Sequence, residues 1–432
     1  MDRLTISGGN LLNGTVSISG SKNASLPCLA ASLLATGKTR LEHLPSVADI
    51  LTMIKVLEAL GCNVLTEKSK DGLERSATID ASGLANTELI APYELVRTMR
   101  ASILVLGPML ARFGRASVSL PGGCAIGARP INLHLNALER MGAEIRIDGG
   151  YVRASVPGTR LRGIDHTFEK VSVGATEHLM MAACLAEGPT ILRNAAMEPE
   201  IADLARMLQK MGAEIDGIGG PELEINGTNS LQGCHHAVIP DRIEAGTFMC
   251  ALAATGGDIA LERVEPNDLR PLMDILAMAG CQISSTSDNL RISRDPGQAL
   301  KSRDISTAPH PGFPTDLQAQ AMAVMTQAAG ISIITENIFE NRFQHAMELE
   351  RLGANLRFDG NTAIVAGPTP LSGCTVMATD LRASAALVIA GLVAKGDVII
   401  DRVYHLDRGY ADIESKLQSI GAKVQRIKGG RV

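Results

Sequence analysis

Lys22, Arg100, Arg129, Arg382 and Arg408, with one acid, Asp316, and one loop thiol, Cys124, are the residues of this chain whose types and spacing suit chemistry. Gly37, Gly114, Gly188, Gly257, Gly330 and Gly396 each close a run of helix-forming residues, and fourteen places before them stand Asn23, Arg100, Gly174, Ile243, Asp316 and Arg382. Lys22 adjoins the first of these and Arg242 the fourth. Thirteen places before glycines of a second set stand Arg129 and Arg408. Such places are helix starts, where unpaired N–H groups and partial positive charge collect and anions bind. A cation there is disfavoured unless a negative group offsets it, so five of them point to an anionic ligand, although any one alone reads as a solvated turn residue. Asp316 is the exception. In Pro314-Thr315-Asp316 it is either an ordinary helix cap or an acid placed for catalysis. Cys124 lies in the glycine- and proline-rich loop Pro121-Gly122-Gly123-Cys124-Ala125-Ile126-Gly127-Ala128-Arg129-Pro130. A thiol there is accessible, and Arg129 with the helix start after it favours the thiolate.

The elements that must position these residues repeat. The second glycine set falls at Gly61, Gly142, Gly212, Gly280, Gly353 and Gly421, each followed by a small residue, a polar residue and an aliphatic. Successive gaps are 81, 70, 68, 73 and 68 residues, so six copies of one unit fill the 432-residue chain. Each copy reads as helix, strand, helix, strand, turn, strand. Val398-Ile399-Ile400 has the β-branched character of the first strand, Ile413, Leu417 and Ile420 the helical spacing of the second helix, and Asp359-Gly360 the turn of the closing hairpin. The last copy lacks its closing strand, and Leu4-Thr5-Ile6-Ser7 resembles the missing piece. Two α/β domains of three units each follow, 22–239 and 1–21 plus 240–432. Ligands favour the cleft between such domains.

Composition narrows the function. With 41 basic and 46 acidic residues the net charge is -5, and with no Trp and four Tyr the chain lacks both the basic surplus and the stacking platforms of a sequence-blind nucleic-acid binder. No apolar run approaches the roughly 18 residues of a membrane span, and no signal core opens the chain. The eight cysteines form no C-x-x-C pair and are expected to be free thiols in the cytoplasm. Cys234-His235-His236 is a poor metal site, because neighbours on a strand face opposite ways. No phosphate loop or dinucleotide fingerprint is present.

Gly20-Ser21-Lys22-Asn23-Ala24, Arg97-Thr98-Met99-Arg100, Pro121-Gly122-Gly123-Cys124, Gly127-Ala128-Arg129-Pro130, Pro314-Thr315-Asp316, Thr379-Asp380-Leu381-Arg382 and Asp407-Arg408-Gly409-Tyr410 together resemble the UDP-N-acetylglucosamine 1-carboxyvinyltransferase family of enolpyruvyl transferases. The resemblance implies an inside-out α/β barrel of two domains, each of three βαβαββ-like units. It also implies transfer of the enolpyruvyl group of phosphoenolpyruvate to the 3′-hydroxyl of the nucleotide sugar, the first committed step of peptidoglycan synthesis. Carried over by motif, Lys22, Asn23, Arg129, Arg382, Arg408 and Asp380 bind phosphoenolpyruvate. Arg100, the run Arg129-Pro130-Ile131-Asn132-Leu133, the run Lys170-Val171-Ser172-Val173, Asp316 and Ile338 bind the nucleotide sugar. Asp316 is the base, and Cys124 is the proton donor that also forms a covalent adduct and is alkylated by fosfomycin. Lys22 and Arg408 join them as catalytic residues. No metal, cofactor, nucleic acid, membrane or obligate protein partner is implied.

Three departures stand out: Asn132 where the family commonly has Asp, Met197 where a basic residue is usual, and Ala125 after the cysteine where Thr is frequent. None removes a catalytic group. Competing readings are a 5-enolpyruvylshikimate-3-phosphate synthase, which shares the fold and the phosphoenolpyruvate chemistry, and a repeat scaffold without catalysis.

Overall fold

The computed structural model describes residues 2–97, 99–120, 131–158 and 160–429. Residues 2–19 and 240–429 form one compact unit, and the described residues of 20–239 form the other. The glycines of the second set do end helices, all six with left-handed φ between 96° and 116°, a conformation that costs glycine least.

Each copy contributes one helix that is apolar nearly all round. These are α1 (Lys22–Ala31), α2 (Leu106–Phe113), α3 (Val173–Ala183), α4 (Arg242–Thr255), α5 (Gln318–Met325) and α6 (Leu381–Val393). A helix without a polar face must be buried on every side. Accordingly α4, α5 and α6 pack on one another inside their unit, around Phe248, Met322 and Leu387. Sheets surround them, and the second helices, such as Ala48–Leu60 and Pro199–Lys210, keep one face in water.

There are six four-stranded sheets among the described residues, one strand more per copy than direct reading of the repeat supplies. The extra strand precedes the inner helix and runs parallel to the strand after it, as Asp165–Thr167 does to Pro189–Arg193. Most of these leading strands have two or three residues, too few for an alternation to register.

Two leading strands are exchanged. Leu12–Ser17, which comes just before α1, pairs with Gly257–Glu262 after α4. His235–Ala237, just before α4, pairs with Lys38–Pro45 after α1. The strand Arg3–Ser7 lies between Asp397–Asp401 and Lys423–Ile427, antiparallel to both. Leu4 faces Ile400 and Ile6 faces Val398, all four buried; each such side chain contributes about 1.5–3 kcal/mol on leaving water. No helix among the described residues is long and apolar enough to cross a membrane.

Candidate active site

Asp316 belongs to a short 3₁₀ turn, Thr315–Leu317, that runs directly into α5, and no side-chain cap is made at the start of either element. The helix-cap reading therefore fails. Both carboxylate oxygens go to arginines: Arg342 Nη2 donates to Oδ1 at 2.6 Å and Arg382 Nη2 to Oδ2 at 2.8 Å. The arginine side chains are 3 % and 8 % exposed, the aspartate 26 %. Burial pushes the Asp316 carboxyl up, but the charges of Arg382 and Arg342 outweigh it and hold the group well below the usual carboxylate range. It is an anion clamped between two cations, one on the first turn of α6 and one in the loop ahead of the helix Gln344–Arg351.

The neighbours fix this arrangement. Asp380 caps α6, its Oδ1 accepting from the N–H groups of Arg382 at 2.8 Å and Ala383 at 3.0 Å. Gln320 Nε2 donates to the Asp316 carbonyl at 2.9 Å and to Thr247 Oγ1 at 3.2 Å, and Thr247 meets the buried Tyr410 hydroxyl at 2.8 Å. Two histidines complete the surroundings. His345 is driven down to about 4 by burial, against the pull of Asp380 and helped by Arg342. His405 is lowered by burial and by Arg408. Both rings are neutral at pH 7, so the positive charge here comes from Arg342, Arg382 and Arg408.

Arg408 does not start the closing helix, as the thirteen-residue spacing suggests. It ends a 3₁₀ stretch, Val403–Arg408, and the helix begins at Ile413. Asp412 sets that start, with a left-handed backbone and a side chain that accepts from the Ser415 N–H at 3.3 Å. Asp407, beside Arg408, accepts from Arg426 at 2.6 and 3.0 Å, and Arg426 also grips Glu414. The Asp407-Arg408-Gly409-Tyr410 phrase is thus anchored on both sides of its arginine.

Two residues that sequence reasoning missed hold this side together. Arg342 stands twelve places after Gly330, as Arg408 does after Gly396, but counting back thirteen places from Gly353 passes it by. Glu336, 3 % exposed, accepts from Thr307 Oγ1 at 3.0 Å, Thr315 Oγ1 at 2.9 Å and the Ile338 N–H at 2.8 Å. It ties the Asp316 turn to the turn that carries Ile338.

In the unit of residues 20–239, Lys22 opens α1 behind the cap Ser21, with Asn23 next to it. Lys22 Nζ lies 3.5 Å from Asp49 Oδ2, so part of the charge offset is internal to the chain. Arg100 begins a 3₁₀ stretch, Arg100–Val105, that leads into α2, and it lies close enough to the buried His134 to lower that ring's pKa. Ser172 caps α3, its Oγ accepting from the Ala175 N–H at 3.3 Å; Lys170 and Val171 lead into that cap and Val173 is the first helical residue. Asn132 is the exposed first residue of Asn132–Arg140, after Ile131 and before Leu133. Cys124, Arg129 and Pro130 lie outside the described residues.

Of the other seven cysteines, Cys28, Cys62, Cys184, Cys250 and Cys281 are buried and Cys234 and Cys374 are half-buried. One cluster was not foreseen: ligand atoms of Cys28, Asp203 and His236 lie within 4.8 Å of one another, all buried. Lys210 Nζ is 3.2 Å from His236 Nδ1 and donates to it, so His236 Nε2 carries the ring proton and donates to Asp203 Oδ1 at 3.0 Å. That chain of donors is satisfied as it stands.

A family model described as EPSP synthase (3-phosphoshikimate 1-carboxyvinyltransferase) matches residues 6–417. A UDP-N-acetylglucosamine 1-carboxyvinyltransferase of Pseudoalteromonas atlantica is 53 % identical over 428 residues, 99 % of this chain and 100 % of the relative. Among solved structures, the enolpyruvyl transferase NikO from Streptomyces tendae superposes with a TM-score of 0.87 at 26 % identity, covering 99 % of both chains. An EPSP synthase from Acinetobacter baumannii gives a TM-score of 0.73 at 20 % identity over 99 % of this chain and 100 % of its own, a likeness of fold.

Proposed function

This chain belongs to the enolpyruvyl transferase family, and from that membership we infer that it transfers the enolpyruvyl group of phosphoenolpyruvate to the 3′-hydroxyl of UDP-N-acetylglucosamine and releases phosphate. The observation that carries this choice of acceptor is the 53 % identity over essentially the whole of both chains to an enzyme named for that activity. The product enters peptidoglycan synthesis, and we place the enzyme in the cytoplasm.

The chemistry asks for three things. Phosphoenolpyruvate brings a carboxylate and a phosphate, which need several cations; we assign Lys22, Asn23, Arg129, Arg382 and Arg408 to it, with Asp380 holding Arg382 in place. Arginine suits these groups because its planar fork makes two hydrogen bonds at once. The sugar hydroxyl must lose a proton as its oxygen bonds to C2, and Asp316 is the ionised acceptor. A carboxylate held by two guanidinium groups is a weak base, so transfer of one arginine to the substrate anion is what raises its basicity. C3 must gain a proton, from Cys124 in our assignment. Phosphate then leaves C2 as C3 gives a proton back, restoring the double bond. We assign Arg100, Arg129, Pro130, Ile131, Asn132, Leu133, Lys170, Val171, Ser172, Val173, Asp316 and Ile338 to the nucleotide sugar.

The test is phosphate release from phosphoenolpyruvate with UDP-N-acetylglucosamine or with shikimate-3-phosphate, each repeated with Cys124→Ala. Release with the nucleotide sugar alone, lost in the variant, is the expected result. Release with shikimate-3-phosphate alone transfers the assignment to the other acceptor.

A further inference from the structure

His134 and His178 form a buried pair outside the residues assigned so far. His134 lies on the helix Asn132–Arg140 and His178 on α3, with their Nδ1 atoms 3.1 Å apart. His134 is 5 % exposed and His178 is 0 %.

The protons on this pair follow from one donor. The Gly107 N–H, in the first turn of α2, lies 2.6 Å from His178 Nε2, and a backbone N–H can only donate. Nε2 of His178 is therefore the acceptor. Burial and then the neighbouring His134 push the His178 ring well below the ordinary imidazole range, so it is neutral and its single proton is on Nδ1. That proton occupies the 3.1 Å contact, which makes His134 Nδ1 the acceptor. His134, brought down to about 4 by burial and by Arg100, is neutral too and carries its proton on Nε2.

The approach depends on Gly107. A Cβ there would lie 2.7 Å from His178 Cδ2 and 2.8 Å from Nε2, so a side chain would expel the ring. In return the ring satisfies one of the N–H groups that a helix start leaves open.

At the other end, the His134 Nε2–H has no partner among the described residues. It sits by the start of α3, 3.8 Å from where a Cβ of Gly174 would be. Ser172 Oγ takes the Ala175 N–H, and the N–H groups before it have no partner within the helix. A nearly buried donor and a helix N-terminus converge there, with Arg100 nearby; together they suit a phosphate oxygen.

We infer that His178 is a positioning residue: through its Nδ1–H it fixes His134 as a neutral Nε2–H donor, which completes a subsite for a phosphate oxygen of the nucleotide sugar at the start of α3. The inference rests on the acceptor substrate proposed above. His178 touches no substrate and acts only through His134.

Nitrogen-15 NMR of histidine-labelled full-length enzyme at pH 7.5 tests it. The expected spectrum has the His178 proton on Nδ1, the His134 proton on Nε2, and a shift of the His134 Nε2 resonance on adding UDP-N-acetylglucosamine. A His134 ring protonated on Nδ1, or on both nitrogens, overturns the inference whatever the turnover. Two variants separate positioning from packing. In His178→Asn the amide nitrogen stands near the former Nδ1 and can still donate to His134. In His178→Gln the amide oxygen reaches Gly107 and the donor to His134 is gone. The Gln variant is expected to raise KM for the nucleotide sugar about tenfold, the worth of one hydrogen bond, while the Asn variant stays near wild type. Equal KM values for the two variants overturn the positioning role. If the tautomers are as inferred but no turnover occurs with the nucleotide sugar, the substrate reading fails by itself. Titration with UDP then decides the subsite: a shift at His134 Nε2 supports it, and none overturns it.

Discussion

Asp316 and Arg382 are 66 residues apart in sequence and 2.8 Å apart in the fold. Asp380 makes that pairing possible, because by capping α6 it sets the first turn from which Arg382 reaches across. Asp316→Asn keeps the shape but removes the proton acceptor and leaves two nearly buried guanidinium groups facing an amide. Turnover is expected to fall by about 10²–10⁴. Stopped-time phosphate release measures it, with circular dichroism to confirm the fold.

The same pairing sets a pH dependence of stability. The folded carboxyl of Asp316 is held below its unfolded value, which is about 3.9. Its contribution to stability is thus fully present above the unfolded value and is lost as pH falls through the folded one. The difference in urea midpoint between wild type and Asp316→Asn should be constant from pH 7 to pH 5 and shrink only below about pH 4. A difference that shrinks already at pH 6 would mean that Asp316 is not held down.

Lys416 and Glu244 form a second buried pair, 2.8 Å apart, and both bond to Ser19: Lys416 Nζ to its Oγ at 2.7 Å and Glu244 Oε2 to its N–H at 2.7 Å. Removing one charge strands the other in the core. Lys416→Met is expected to cost about 3–5 kcal/mol, and the double variant with Glu244→Gln should recover a good part of that. Urea denaturation of the two proteins checks it.

Gly107→Ala places a methyl group within 3 Å of the His178 ring. Overpacking of this kind costs about 1–3 kcal/mol, and the variant is expected to melt at a lower temperature and to lose the His178 contact in the NMR spectrum.

Burial raises the thiols of Cys62 and Cys184 to about 12 and that of Cys281 to about 11. Iodoacetamide at pH 8 should leave these three unmodified in the native protein and label them in urea, as read by peptide mass spectrometry.

Part of this molecule is legible in its sequence. The six glycines from Gly61 to Gly421 mark the copies because a left-handed helix end leaves little choice of residue, and α1, α3, α4 and α6 start within one residue of where counting back from the first glycine set puts them, while Arg100 and Asp316 fall in 3₁₀ turns ahead of α2 and α5. What escaped has a physical reason in each case. Strands such as Ile90–Ala91 and Ile305–Ser306 are held by main-chain pairing, to which two side chains add no pattern. Only the family resemblance, with its βαβαββ unit, implied them. Arg408 was misplaced because Asp412 delays the helix by a few residues. Arg342 and Glu336 sit in a connection without periodicity, and nothing local distinguishes them from surface charges; their partners, Asp316 and Thr315, belong to the preceding inner-helix start.

The sheet that holds Arg3–Ser7 joins segments far apart in sequence, with Ser7 Oγ donating to Asp397 390 residues away. During synthesis Arg3–Ser7 has to wait for Asp397–Asp401 and Lys423–Ile427 before it can pair, and contacts of such long separation form slowly. The unit it belongs to therefore completes only after Lys423–Ile427 has been made. Until then Leu4 and Ile6 lack Ile400 and Val398, the partners that take them out of water in the fold.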